Sequence, residues 1–225
     1  RDRQNAIKEF GCSPVEYLAK LGCLNERTIA VHCVALSDRD IELLAESGAS
    51  VVHCPVSNMR LGCGASPVVK LLKAGINVAL GTDGAASACS LSMFEQMRTA
   101  GLIAKGFSQD PTELTVNQII RMATINGANA LKLHCDAGSL AVGKLADLAV
   151  IDMSQLVTMP VLDVLSNVIY AVEAQCVHQV WVSGSLVANI QQEKLLRPDR
   201  GKLLTKSNIM SWQNRVCEIL RDDFN

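Results

Sequence analysis

The chain has few aromatic residues, no concentrated positive charge and no long apolar run. Only 4% of its 225 residues are aromatic and its formal net charge is −1, so it lacks the stacking platforms and basic patches typical of nucleic-acid-binding proteins. Its longest stretch without a charged residue, residues 174–192, is interrupted by Gln, His, Ser and Asn. Such a stretch is too polar to span a bilayer. These absences exclude nucleic acid and a membrane as the main partners.

The chain also lacks the cysteine pattern of a disulfide framework or a zinc knuckle. Its nine cysteines are odd in number and scattered, with no CxxC pair. This usage is typical of reduced thiols in the cytosol. The first residues carry no signal-peptide pattern. We therefore expect a cytoplasmic protein.

Three apolar stretches of strand length each end in one ionisable residue. They are residues 28–33, 50–55 and 77–84, and the ionisable residues are His32, His53 and Asp83. A helical pattern follows each of them, at residues 39–46, 67–73 and 91–105. Because α/β enzymes keep reactive groups at the carboxyl ends of parallel strands, we expect the three side chains to converge. His and Asp are also the ligands of hydrolytic metal sites.

Asp83 is the first candidate for chemistry. It lies between Gly81 and Gly84, and glycines at a strand end permit a sharp turn and the close approach of another group. A carboxylate at the end of a buried strand has no packing role. The alternative is that Asp83 caps the following helix. A lone buried His is usually a satisfied core residue, but three ionisable residues at equivalent positions favour a site.

Four motifs in chain order carry a resemblance to a known family. They are VHCV at 31–34, HCPVSNMRLG at 53–62, GTDGAAS at 81–87, and GSL with GKLADL at 138–140 and 143–148. With them the chain resembles the C-terminal part of an amidohydrolase-superfamily enzyme. The branch it most resembles contains methylthioadenosine/S-adenosylhomocysteine deaminases, guanine and cytosine deaminases, and triazine hydrolases. The resemblance extends to about residue 190.

The resemblance implies an α/β fold that is only part of a larger unit. Residues 1–137 would supply strands six to eight of a (β/α)₈ TIM-type barrel, and residues 138–195 part of a small β-sandwich domain. Alternating apolar residues predict strands at 146–152 and 177–184. Beyond the resemblance, an apolar stripe of helical spacing at residues 203–223 predicts a C-terminal helical segment over residues 196–225. Three barrel strands leave two open edges, so a missing N-terminal barrel half, carrying further metal ligands, is the expected partner.

The resemblance also implies the reaction. A divalent metal, Zn²⁺ or another such as Fe²⁺, would supply hydroxide that attacks a ring carbon of an adenosine-type nucleoside and expels ammonia. Asp83 would bind the metal and accept a proton. His32 would be catalytic beside the attacked carbon, with a metal-ligand role as the second reading. A homo-oligomer is compatible with this assignment.

Three further residues are implied as substrate-binding: His53, Asn58 and Ser87. A structural role is an equal alternative for His53, and Asn58 either fixes its loop or touches the substrate. Two departures from the family pattern bear on substrate preference: Cys63 stands where Ser is common, and Ala88-Cys89 follow Ser87 where Asn is common. The alternatives are a triazine or other nucleobase hydrolase of the same branch, or a non-catalytic half-chain.

Overall fold

The fold alternates short strands with helices and then changes to an antiparallel sheet. The structure is a computed structural model that describes residues 2–189 and 194–195. The first part contains α1 (Asp2–Phe10), α2 (Pro14–Lys20), β1 (Ile29–Val31), α3 (Asp38–Ser47), β2 (Ser50–His53), α4 (Pro55–Arg60), α5 (Val68–Lys73), β3 (Asn77–Leu80), α6 (Ala85–Ala88) and α7 (Met93–Ser108). The second part contains α8 (Val116–Ala123), α9 (Ile125–Ala130), β4 (Leu148–Ile151), α10 (Val164–Tyr170), β5 (Val177–Val182), β6 (Ser185–Asn189) and β7 (Lys194–Leu195).

Local sequence explains where several helices begin. Ser37 caps α3 in a capping box with Asp40, and Thr115 caps α8 in one with Gln118. Each box satisfies backbone N–H groups that have no partner inside the helix.

The chain breaks between α8 and α9 at Thr124 (φ −130°, ψ −97°). Asn126 then fastens α9 to the parallel strands, because its side-chain Nδ2 donates to the Val78 carbonyl at 2.8 Å. α9 is therefore tied directly to β3.

The strands β1, β2 and β3 form a parallel sheet in that order. The register pairs Val31 with Val52 and His53 with Leu80. Two backbone bonds continue the pairing past the strands, from His32 N to the Val52 carbonyl and from Gly81 N to the His53 carbonyl, both at 2.9 Å. The three predicted strand ends thus lie at one edge of a parallel sheet, and the predicted α/β class is confirmed.

The core lies between this sheet and its helices. Val51 and Val78, on neighbouring strands, are fully buried and belong to one apolar cluster with Leu44, Leu71 and Ile119. Because alternate residues of a strand face opposite sides, His53 points to the same helix-covered side as Val51. The sheet is therefore anchored on its helix side, which holds its carboxyl edge in place.

The strands β4 to β7 form a separate antiparallel sheet. The strands β5 and β6 make a hairpin through Ser183 and Gly184, both with positive φ, as two-residue hairpin turns of the primed type require. The two strands expected at 146–152 and 177–184 are confirmed. The expected helical segment 196–225 lies outside the described residues. Within those residues, no helix is both long and apolar enough to cross a membrane.

Candidate active site

The site residues begin where the parallel strands end, in unusual backbone conformations. His32, Cys33 and Asp83 have φ values of 70°, 48° and 59°. A non-glycine residue in this left-handed region costs on the order of 1 kcal/mol, and such residues cluster at functional sites. Two of the three are residues that the sequence singled out for chemistry.

The carboxylate of Asp83 is held at both oxygens. The Ser57 hydroxyl donates to Oδ2 at 2.6 Å, and the Gly84 backbone N–H donates to Oδ1 at 2.7 Å. The Ser57 bond, followed by the Gly84 bond and by the nearby His32, holds the pKa of the Asp83 carboxyl below its usual value. Asp83 is therefore ionised at neutral pH. The N-cap residue of α6 is Gly84, so the helix-cap alternative for Asp83 does not describe its contacts.

The imidazole of His32 is held by Asn58. Its Nδ1 lies 2.8 Å from the Asn58 amide oxygen. An amide oxygen only accepts hydrogen bonds, so this contact favours the tautomer with the proton on Nδ1. The other ring nitrogen, Nε2, is thereby the one left for chemistry.

The short helix α4 connects the two groups. It follows the middle strand β2, begins with Pro55 at a position that favours proline, and carries Ser57 and Asn58 side by side. These two residues are almost fully buried. They reach Asp83 after β3 and His32 after β1, so consecutive residues span the sheet edge in both directions. Sequence reasoning did not assign Ser57, although the HCPVSN motif contains it beside Asn58.

His53 occupies a different environment. It is 2% exposed and lines a cavity of about 310 Å³ between α5 and α7, with Val69, Ala104 and Phe107 among its other walls. Burial, with a smaller effect of His32, lowers the pKa of His53 to about 4. The imidazole is therefore neutral at pH 7. This placement supports the structural alternative for His53, and both roles stay predictions.

Ser87 lies in α6, close to Asp83. Its hydroxyl is the last and smallest of the influences that lower the pKa of Asp83. Arg60, at the end of α4, donates to the carbonyls of Ala86 and Ser87 at 2.8 and 2.6 Å. α4 therefore positions α6 as well as the two reactive side chains.

The cysteines that follow the two histidines are poor nucleophiles. Burial, followed by Asp40, raises the pKa of the Cys33 thiol to about 11. Burial, followed by Asp83, raises the pKa of Cys54 to about 11. Because the thiolate is the reactive form, neither thiol competes with Asp83 and His32 as a chemical group at this edge.

The donor set fits part of a metal site. A carboxylate and an imidazole are the ligand types that Zn²⁺ takes, and a carboxylate has about four lone pairs, so the two bonds to Asp83 leave capacity for an ion. Within residues 2–189, however, no three His, Cys, Asp or Glu side chains are grouped to hold a metal. A tightly bound ion would need ligands from beyond the described residues.

Comparison with known proteins agrees with this geometry. The profile of the Amidohydrolase family matches residues 1–187. The chain belongs to the amidohydrolase family. It is 46% identical over 178 residues to the 5-methylthioadenosine/S-adenosylhomocysteine deaminase of Moorella thermoacetica, a match that covers 79% of this chain and 42% of that protein. The chain spans about half the length of the curated relatives it matches.

Two solved structures are also similar to the chain. A zinc-bound structure described as an adenosine deaminase from Xanthomonas campestris superposes with a TM-score of 0.87 at 39% identity, covering 96% of this chain and 48% of that one. Atrazine chlorohydrolase from Arthrobacter aurescens, complexed with zinc, superposes with a TM-score of 0.78 at 26% identity, covering 89% of this chain and 44% of that one. These neighbours support a divalent metal for this family member, with zinc favoured.

Proposed function

We propose that the chain is the C-terminal part of a metal-dependent aminohydrolase acting on an adenosine-type nucleoside of the methylthioadenosine/S-adenosylhomocysteine class. The observation that carries the proposal is the position of two groups at one edge of a parallel sheet: Asp83, bonded to Ser57, and His32, bonded to Asn58. The similarity to the Moorella deaminase and to the zinc-bound adenosine deaminase supports the substrate class.

Asp83 has two roles in this proposal. It would contribute a carboxylate ligand to Zn²⁺ or a similar ion, which when bound lowers the pKa of water enough to supply hydroxide near neutral pH. Asp83 would also act as a base. One carboxylate oxygen would take up the proton that water gives up and later pass a proton to the departing amino group. Water and the nucleoside amine are thereby converted into a ring carbonyl and ammonia.

His32 would act at the carbon under attack. Nδ1 is bonded to Asn58, which fixes the ring. Nε2 would then be the nitrogen that exchanges a hydrogen bond or a proton with the reacting groups. Among the three residues implied as substrate-binding, Ser87 is the one we assign to a purine ring nitrogen, since it lies next to Asp83. Asn58 and His53 would orient other residues of the site without contacting the substrate.

The same proposal covers the architecture. The strands β1 to β3 would be strands six to eight of a (β/α)₈ barrel, and β4 to β7 part of a β-sandwich. Ile29 and Val31 on the edge strand β1 are 37% and 49% exposed, as expected of barrel residues whose neighbours lie outside these 225 residues. The remaining metal ligands would come from that N-terminal half.

A triazine hydrolase of the same branch is the second candidate. The similarity to atrazine chlorohydrolase favours it. The chemistry of Asp83 and His32 would be common to both reactions, and only the leaving group would change.

The proposal is tested with the complete protein, or with this chain co-expressed with an N-terminal amidohydrolase half. Ammonia release from adenosine-type nucleosides and from aminated triazines, and chloride release from chlorinated triazines, are measured with Zn²⁺ present. Asp83→Ala should lower turnover at least about 100-fold and reduce bound zinc. Asp110→Ala is the matched control, because Asp110 is also hydrogen-bonded locally, to Thr112, but lies in the loop after α7.

Turnover of Asp83→Ala within about tenfold of the parent, with zinc still bound, would overturn the role of Asp83. Neither ammonia nor chloride from either substrate class, in a complex that binds zinc stoichiometrically, would leave the non-catalytic half-chain as the better description.

A further inference from the structure

We propose that Ser57 and Asn58 form one positioning unit that orients Asp83 and His32 together. The catalytic consequence of this unit rests on the proposed function, whereas its effect on the two side chains does not. Neither residue needs to touch a substrate, because both act through the groups that they hold.

Ser57 determines the rotation of the Asp83 carboxylate. Its hydroxyl is fully buried and bonds Oδ2, while the Gly84 N–H bonds Oδ1. With one donor on each oxygen, the carboxylate cannot turn about its Cβ–Cγ bond without losing a hydrogen bond. Asp83 also has a left-handed backbone, φ 59°, and Ser57 is the contact from another element that defines where its side chain points.

Asn58 determines the tautomer of His32. The amide is 1% exposed and its oxygen accepts from Nδ1. Which ring nitrogen of a histidine is available for chemistry depends on the hydrogen bond that the other one makes. Asn58 thus keeps Nε2 as the free nitrogen of the neutral ring.

The helix that carries both residues is itself held on two sides. Near its start, the Val56 N–H donates to Oε1 of the fully buried Gln96 on α7, at 3.3 Å. Arg60 fastens its other end to the carbonyls of Ala86 and Ser87 on α6. Since Ser57 and Asn58 are consecutive residues of a fixed helix, the spacing of the two groups that they hold is fixed too.

The first arm of the test separates kcat from KM in the active complex. Ser57→Ala should lower kcat by about 10- to 100-fold with KM changed less than about threefold, because the orientation of a reacting group is lost while the substrate contacts remain. Ser50→Ala is the matched control: Ser50 is also buried and also makes one side-chain bond, to Asn77, but at the opposite end of β2.

Equal kcat values for Ser57→Ala and Ser50→Ala would overturn the role of Ser57. If Ser57→Ala does not fold, Ser57→Cys takes its place. A thiol is a weaker donor of similar size, and the same selective loss of kcat is expected.

The second arm does not depend on any activity. In ¹⁵N NMR spectra of the complete protein at alkaline pH, the His32 signals, assigned with a His32→Gln variant, should show the proton on Nδ1. In Asn58→Ala the proton should move to Nε2. A parent protein with the proton already on Nε2 would overturn the role of Asn58. If no adenosine-type nucleoside is deaminated, the proposed function fails while this arm still decides the positioning of His32.

Discussion

The parallel and the antiparallel sheet differ in how firmly their strands are packed. Every residue of β2 and β3 is buried or half-buried, and Val51 and Val78 are fully enclosed. No residue of β4, β5 or β6 is buried. Asp83 follows the packed strand β3, whereas His32 follows the edge strand β1, whose alternate residues are exposed. A packed strand therefore positions Asp83 directly, while His32 depends on Asn58, which is buried in the helix after β2.

Helix packing explains why the strands of the two sheets differ in burial. The parallel sheet is covered on one side by a continuous apolar core that includes residues of α3, α5, α7 and α8. In the antiparallel sheet, Val150 and Val182 remain 40% and 47% exposed, with no comparable layer among the described residues. Three expected outcomes test this contrast.

Acid should weaken the parallel region first. Because the pKa of His53 is lowered to about 4 in the folded protein, the unfolded chain binds more protons below its ordinary value of about 6.5. The stability due to the neutral imidazole is therefore complete above pH 6.5 and lost as the pH falls toward 4, by up to about 3 kcal/mol. Peptide-resolved hydrogen exchange should show β2 losing protection before β5 over this range.

His53→Gln is the control for this outcome, since glutamine does not titrate. In this variant, the hydrogen-exchange protection of β2 relative to that of β5 should stay constant from pH 7 to pH 4. A parent protein whose β2 protection is unchanged over that range would contradict the prediction.

Truncating a valine should destabilise the protein more in the parallel sheet than in the antiparallel sheet. Val51→Ala removes a fully buried side chain from β2 and should lower the free energy of unfolding by about 2–3 kcal/mol. Val150→Ala removes the same atoms from β4, where the side chain is 40% exposed, and should cost less than about 1 kcal/mol. Urea unfolding of both variants measures the difference. A Val150 cost equal to that of Val51 would mean that another layer covers β4.

The junction between the two regions should be sensitive at one glycine and tolerant at its neighbour. A Cβ at Gly138 would lie 2.9 Å from the Ile125 Cα and 2.7 Å from the Ala128 Cβ, whereas one at Gly143 meets nothing within 4 Å. Both have left-handed φ values, 83° and 91°, so both alanine variants carry similar strain. Gly138→Ala should cost about 1–2 kcal/mol more than Gly143→Ala in the same unfolding assay. Equal losses of unfolding free energy in the two variants would show that the backbone of α9 shifts to accommodate the added methyl group.

Sequence patterns predicted the strand ends well and the connecting helix poorly. His32, His53 and Asp83 were identifiable because an apolar run that stops at a polar residue is a local signal. The pattern at 55–60 is too short for helical periodicity, so α4 was not predicted, although Pro55 marks its start. The roles of Asp83 and His32 stay predictions, as do those of His53, Asn58 and Ser87.

The α/β class, the order of the strands along the chain and the residues at their ends follow from local sequence, because each depends on hydrophobic pattern within a few neighbouring positions. The contacts of Ser57 with Asp83 and of Asn58 with His32 join residues that are 26 positions apart, so they follow from the packing of the folded chain. Packing also directs His53 toward the helices. Such contacts depend on how a helix packs across a sheet edge, and no local pattern encodes the direction in which a side chain then points.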